Sequence, residues 1–144
     1  MLREFRRLGP GARMTLLEAM GLLTGIRILL PAFGLKNVRK ILRTFSGGLQ
    51  HTSDGDVTEI LRLLEAAARR CPLGSTCLTR ALAAQLLLRR SGIASRLCIG
   101  VKRDHQRKFE AHAWLERDGE IILGGSDDEI RQWVPLRGID ERTA

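Results

Sequence analysis

Two residues have the types that acyl-transfer chemistry needs, in settings that would activate them. Cys77 opens the segment STCLTRALAAQLLLRRSG, and His112 lies 35 positions later in FEAHAWLERDGEII. A cysteine nucleophile needs a thiolate and a base that can later return a proton. With Ser75 or Thr76 as N-cap, Cys77 falls in the first turn of a helix. There the unpaired N–H groups and the positive end of the helix dipole favour an anionic sulfur. The same amides can donate to the oxyanion of an acyl intermediate. Gly74 and the small residues after it leave room for a substrate carbonyl. Against this stands the blander reading of Cys77 as a buried packing residue, which most helix cysteines are.

The chain offers three candidate bases, His51, His105 and His112. His51 lies in the loop SGGLQHTSDGD, and His105 lies in the charged turn RDHQRK, where mobility is expected. Only His112 stands on a regular strand, between two alanines that permit close packing. A lone strand histidine is more often structural. The catalytic reading rests on the pair, a cysteine at a helix start and a histidine on a following strand, in papain-like order.

A third group would orient the imidazole and stabilise its charged form. Asp118-Gly119 is a two-residue hairpin signal, so residue 117 should pair with 120 and 112 with 125. Asp118 then lies about 20 Å from His112 at roughly 3.3 Å per residue, too far to touch the ring. Gly124 and Gly125 fall opposite His112, and Asp127 and Asp128 follow where the chain can bend back. Asp127 is the candidate, with Asp128 as its alternative, and both have a second explanation as helix-capping residues. Cys71 and Cys98 read as structural, and a C-x₅-C pair with no matching Cys/His pair is not a zinc pattern. No metal and no cofactor are called for.

The elements that must position these groups follow from periodicity. TLLEAMGLLTGIRILL begins with a Thr15-x-x-Glu18 capping box and should be a helix ended or kinked at Pro31. A basic helix follows over roughly Leu35 to Thr44. Asp56-x-x-Glu59 opens VTEILRLLEAAARR, an amphipathic helix. The helix carrying Cys77 is apolar nearly all round and ends at Gly92, so it should be central and covered on several sides. From Ala94 the period becomes two, predicting strands in SRLCIGVKR, FEAHAWLER and EIIL. A short turn capped by Ser126 with Glu129 and a last strand in VPL complete the chain. Helices followed by a small antiparallel sheet make an α+β fold, expected as one domain over 1–144, with a basic helical region at 1–50 and a catalytic core at 56–140.

Composition narrows the function classes. The chain has 144 residues, 44% of them apolar, enough for a packed core. With two Trp, four Phe and no Tyr it lacks an aromatic platform for single-stranded nucleic acid. The net charge of +8 is concentrated: residues 1–50 hold nine Lys/Arg against two acids, and residues 51–144 hold fifteen against fourteen. That excess suits an acidic partner, although a solvated basic face is the commoner explanation. Three cysteines without a secretory signal point to free thiols in a reducing, cytoplasmic compartment. Thr15 to Leu35 is the most apolar stretch, but Glu18, Arg27 and Pro31 argue against a transmembrane segment.

STCLTRALAAQLLLRRSGIASRLCIGVKR followed by FEAHAWLERDGEIILGG resembles the leader peptidases of lasso-peptide biosynthesis, a transglutaminase-like, papain-related cysteine protease family. LLEAMGLLTGIRILLPAF, EAAARRCP and WVPL resemble it too, so the likeness spans nearly the whole chain. The resemblance implies a papain/transglutaminase-like fold, with Cys77 as nucleophile and His112 as base. The family places its acid some twelve or more positions after the histidine. Here position +12 is Gly124, and Asp127 at +15 takes its place. The implied substrate is a ribosomally made precursor peptide cut at its leader–core junction. The implied partners are a separate leader-recognition protein and a lasso cyclase, with no nucleic acid. Two other readings are an acyltransferase on the same scaffold and a non-catalytic peptide-docking module.

Overall fold

The computed structural model describes residues 6–45, 56–136 and 142–143. Three long helices come first: α1 (Pro10–Phe45), α2 (Val57–Arg70) and α3 (Cys77–Arg90). Then follow β1 (Ser95–Arg103), β2 (Phe109–Arg117), β3 (Glu120–Leu123), the short helix α4 (Asp127–Ile130), β4 (Val134–Pro135) and β5 (Arg142–Thr143). The order is the expected α+β one.

The start of α1 differs from expectation. The helix begins at Pro10, a residue suited to a first turn because its missing N–H would be unpaired there anyway. Thr15 is therefore interior, its hydroxyl bonding the Gly11 carbonyl, and Glu18 faces Arg90 of α3 at 3.8 Å rather than capping. Pro31 does not end the helix. The break comes at Gly34, whose φ of 72° and ψ of 165° turn the chain and start the second, basic segment. By length and composition Pro10–Thr44 is apolar enough to cross a membrane. One of its faces is nevertheless part of the protein core, through Leu16, Ala19, Leu23 and Ile26.

Helix α2 is capped by Asp56, whose carboxylate accepts from the Thr58 amide, while Glu59 pairs with Arg62 instead of reaching back. Helix α3 is central, as its composition required. Residues 81–88 are all buried between α1, α2 and the sheet. Gly92, at φ 73°, ends it, and the Ile93 amide bonds the Leu88 carbonyl.

The sheet runs β3-β2-β1-β4, with β5 pairing the other end of the β1 edge that carries β4. Leu97, Ile99, Ala113 and Leu115 project into the helical core. Cys98 and Trp114 project from the opposite face, where Ile130 of α4 and Trp133 cover them. The alternation in β2 holds, but its first residues run past the helices, leaving Phe109 70% exposed under the Arg103 guanidinium. The β1–β2 turn is pinned rather than loose, since the Asp104 carboxylate accepts from the Gln106 and Lys108 amides at 2.8 Å each.

Asp118 and Gly119 form the expected β2–β3 turn at φ 52° and 83°. Arg117 pairs with Glu120 and Glu116 with Ile121, but Leu115 pairs with Leu123. Ile122 is thus the extra residue of a β-bulge, which moves the strand by one from the uninterrupted register. The bulge decides what faces His112.

Candidate active site

Cys77 is the first residue of α3 and is half-buried. Thr76 is the N-cap, and its hydroxyl accepts from the Thr79 amide at 3.2 Å. The first intrahelical bond runs from the Arg80 amide to the Thr76 carbonyl. Helix geometry therefore leaves the amides of Cys77 and Leu78 without an intrahelical acceptor, beside the sulfur they would serve. The turn before the helix is braced. Arg80 donates through Nε to the Ser75 hydroxyl at 2.9 Å and reaches Glu65 of α2 at 3.5 Å. Gly74, at φ 68°, makes the bend that delivers the chain into the N-cap.

His112 stands on the face of β2 away from the main core. Cys77 and His112 line one cleft of ≈ 640 Å³, together with Glu65, Arg80, Lys102, Glu129 and Trp133 among others. The structure thus brings together two residues that the sequence separates by 35 positions. His51 lies outside the described residues. His105 is exposed in the β1–β2 turn.

What orients His112 is a backbone group. Its Nε2 pairs with the Gly124 carbonyl at 2.5 Å. A carbonyl can only accept, so Nε2 carries the proton and Nδ1 keeps the lone pair. The neutral ring is thereby held in a tautomer whose free nitrogen can take a proton from a thiol. Trp133 stacks on the imidazole at 5.1 Å between ring centroids, with Trp114 further off at 6.3 Å. Lys102 lies over the Trp133 ring at 4.3 Å.

Asp127 and Asp128 are exposed in the first turn of α4 and are not among the residues lining the cleft. The bulge and the two positive-φ glycines turn the chain so that a carbonyl, not either carboxylate, meets His112. The cleft carboxylate on α4 is Glu129. It forms the expected capping box, accepting from the Ser126 amide at 2.8 Å and the Ser126 hydroxyl at 3.1 Å. Those bonds, from the amide first, hold its carboxyl below the ordinary glutamate range, and the nearby His112 acts in the same direction. Sequence reasoning identified Glu129 as a cap and met Trp133 in the segment WVPL, and gave neither a place in the site. Cys71 and Cys98 are buried and in no disulfide, Cys71 against the Thr24 hydroxyl at 3.7 Å.

Over residues 20–137, well beyond half its length, the chain matches the profile of the transglutaminase-like superfamily. It belongs to that superfamily. No curated protein and no solved structure matches it. Members of the transglutaminase-like superfamily are typically cysteine proteases or acyltransferases. The matched span begins within α1 and takes in most of that helix.

One residue of β1 controls the packing behind His112. Gly100 pairs with His112 across the sheet, and a Cβ there would lie 2.9 Å from the Trp114 ring and from the Trp133 Cβ. Neither tryptophan can retreat without cost, Trp114 being buried and Trp133 stacked on His112. Gly100→Ala is expected to destabilise the fold by about 1–3 kcal/mol. It should also red-shift the tryptophan emission, since both rings must move. Thermal denaturation followed by fluorescence checks both.

Proposed function

We propose that the protein is a cysteine endopeptidase that removes the leader from a ribosomally synthesised lasso-peptide precursor. The observation that carries the reading is the single cleft shared by Cys77 at the start of α3 and His112 on β2. The Cys77 thiolate attacks the carbonyl at the leader–core junction, and the Cys77 and Leu78 amides receive the oxyanion. The C–N bond breaks as His112 gives its proton to the leaving amine. Water then attacks the thioester, losing a proton to His112, and breakage of the C–S bond releases the carboxylate and returns the thiol. Every step uses groups of this chain and water, so the reading needs no cofactor. The lasso resemblance supplies the substrate, and the cytoplasm is the matching compartment.

The test is to incubate the protein with its precursor peptide and recognition partner and weigh the products. Hydrolysis gives leader and core whose masses sum to the precursor plus one water. Transfer to an added amine gives a leader heavier by that amine less water, the acyltransferase result. An uncut precursor with a bound protein would favour the docking module.

The basic N-terminal helices fit a docking role for the recognition protein or an acidic leader. Arg39, Arg43 and Arg89 line one shallow pocket with Leu82 and Leu86. Burial, and next the neighbouring Arg43, hold Arg39 below the ordinary guanidinium range. Neutralising Arg6, Arg7, Arg39 and Lys40 to glutamine should slow cleavage by about five- to tenfold at low salt and flatten its salt dependence. Unchanged kinetics in that variant would remove docking from the proposal.

A further inference from the structure

Cleft charges are arranged unevenly around His112. Arg80 faces Glu65 at 3.5 Å, and Lys102 on β1 faces Glu110 at 3.8 Å while lying over Trp133. Arg80 and Lys102 thus each have an acidic partner of their own. Glu129 differs. Its donors are the Ser126 amide and hydroxyl, both neutral, so its negative charge is fixed in place without being neutralised there. Its position is set by the backbone: a Cβ on Gly125 would lie 3.0 Å from the Glu129 Oε2. Gly125 directly follows Gly124, whose carbonyl holds the His112 Nε2. The carboxylate is therefore anchored beside the turn that orients the base.

An acidic third member of a Cys–His site has two jobs, to aim the ring and to stabilise its cation. The Gly124 carbonyl does the first but carries no net charge. We propose that Glu129 does the second: it is a positioning residue that stabilises the His112 imidazolium, so that two groups divide the work of a catalytic aspartate. This rests on the Cys–His reading of the cleft, with Cys77 as the partner of the cation on the α3 side. The exposure of Glu129 to solvent sets the scale, because water and salt screen such a charge until a bound peptide covers it.

Glutamine at 129 separates charge from capping, since its amide oxygen can still accept from Ser126. The readout is the NMR titration of the His112 ring in Cys77→Ala protein, which needs no activity. Glu129→Gln should lower the His112 titration midpoint by roughly 0.5 pH, equivalent to about a threefold change in the imidazolium population. The alkaline limb of kcat/KM in the parent should move down equally, and Glu129→Asp should restore part of it. Ser126→Ala keeps the charge and weakens the cap, so it should lower the melting temperature and leave the midpoint in place. An unmoved midpoint in Glu129→Gln overturns the proposal, as does an equal shift in Ser126→Ala. A shifted midpoint, alongside a parent protein with Cys77 intact that cuts no peptide, would sustain the charge role and defeat the peptidase reading instead.

Discussion

Cys77→Ala should leave no detectable cleavage of the precursor, a loss on the order of 10⁴-fold or more, in a protein that still folds. The effect is large because the sulfur forms the covalent bond of the acyl intermediate, and no neighbouring group can substitute for it. The fold should survive because the residue sits at the edge of the core and its removal deletes one half-buried atom. The helix start does not depend on it either, since Thr76 provides the cap. A second measurement separates nucleophile from packing residue. At mildly acidic pH a thiol electrophile should label Cys77 before Cys71 and Cys98, which are buried. Full activity in Cys77→Ala, or no preference in labelling, would end the peptidase proposal.

His112→Ala should lower kcat/KM by about 10³–10⁴-fold. Without the ring nothing takes the thiol proton at neutral pH, and nothing gives one to the leaving amine. Selective labelling of Cys77 at mildly acidic pH should fade as well, because the cation that favours the thiolate is gone. The structural loss is smaller, about 1 kcal/mol for one hydrogen bond, because solvent can reach the Gly124 carbonyl that remains. The void left against Trp133 matches the missing ring, so added imidazole should recover part of the rate. Activity near the parent value would show that the cleft works without its histidine, contrary to the mechanism given above.

The parts legible in the sequence were those set by local chemistry. The Thr76 cap, the Gly92 stop, the Asp118-Gly119 turn and the Ser126–Glu129 box each need only a few consecutive residues, and each stands where expected. The central position of α3 followed from its nearly uniform apolarity. Three local signals misled because neighbours outranked them, one being Glu59 of the Asp56 box, which pairs with Arg62. The Thr15-x-x-Glu18 pattern fell inside a helix that Pro10 had already begun, and Pro31 removed one hydrogen bond three residues before Gly34 made the real break. Other features depend on packing across the sheet. The bulge at Ile122, the carbonyl it turns toward His112 and the Trp133 stack join distant segments. Counting residues along an ideal hairpin could not find them, and this is why the carboxylate that α4 brings to the cleft is Glu129 rather than Asp127.

The bulge also fixes what residue 124 is allowed to be. A Cβ at Gly124 would lie 2.6 Å from the Trp114 Cβ and 2.9 Å from its Cα, with φ at 109°. Trp114 is 2% exposed and has no room to yield. In this chain, then, Trp114 leaves no room for a side chain at 124 unless the strand moves. The lack of an acid twelve positions after His112 therefore has a steric reason in this chain. Grafting aspartate onto position 124 would displace Trp114 and the carbonyl that holds His112.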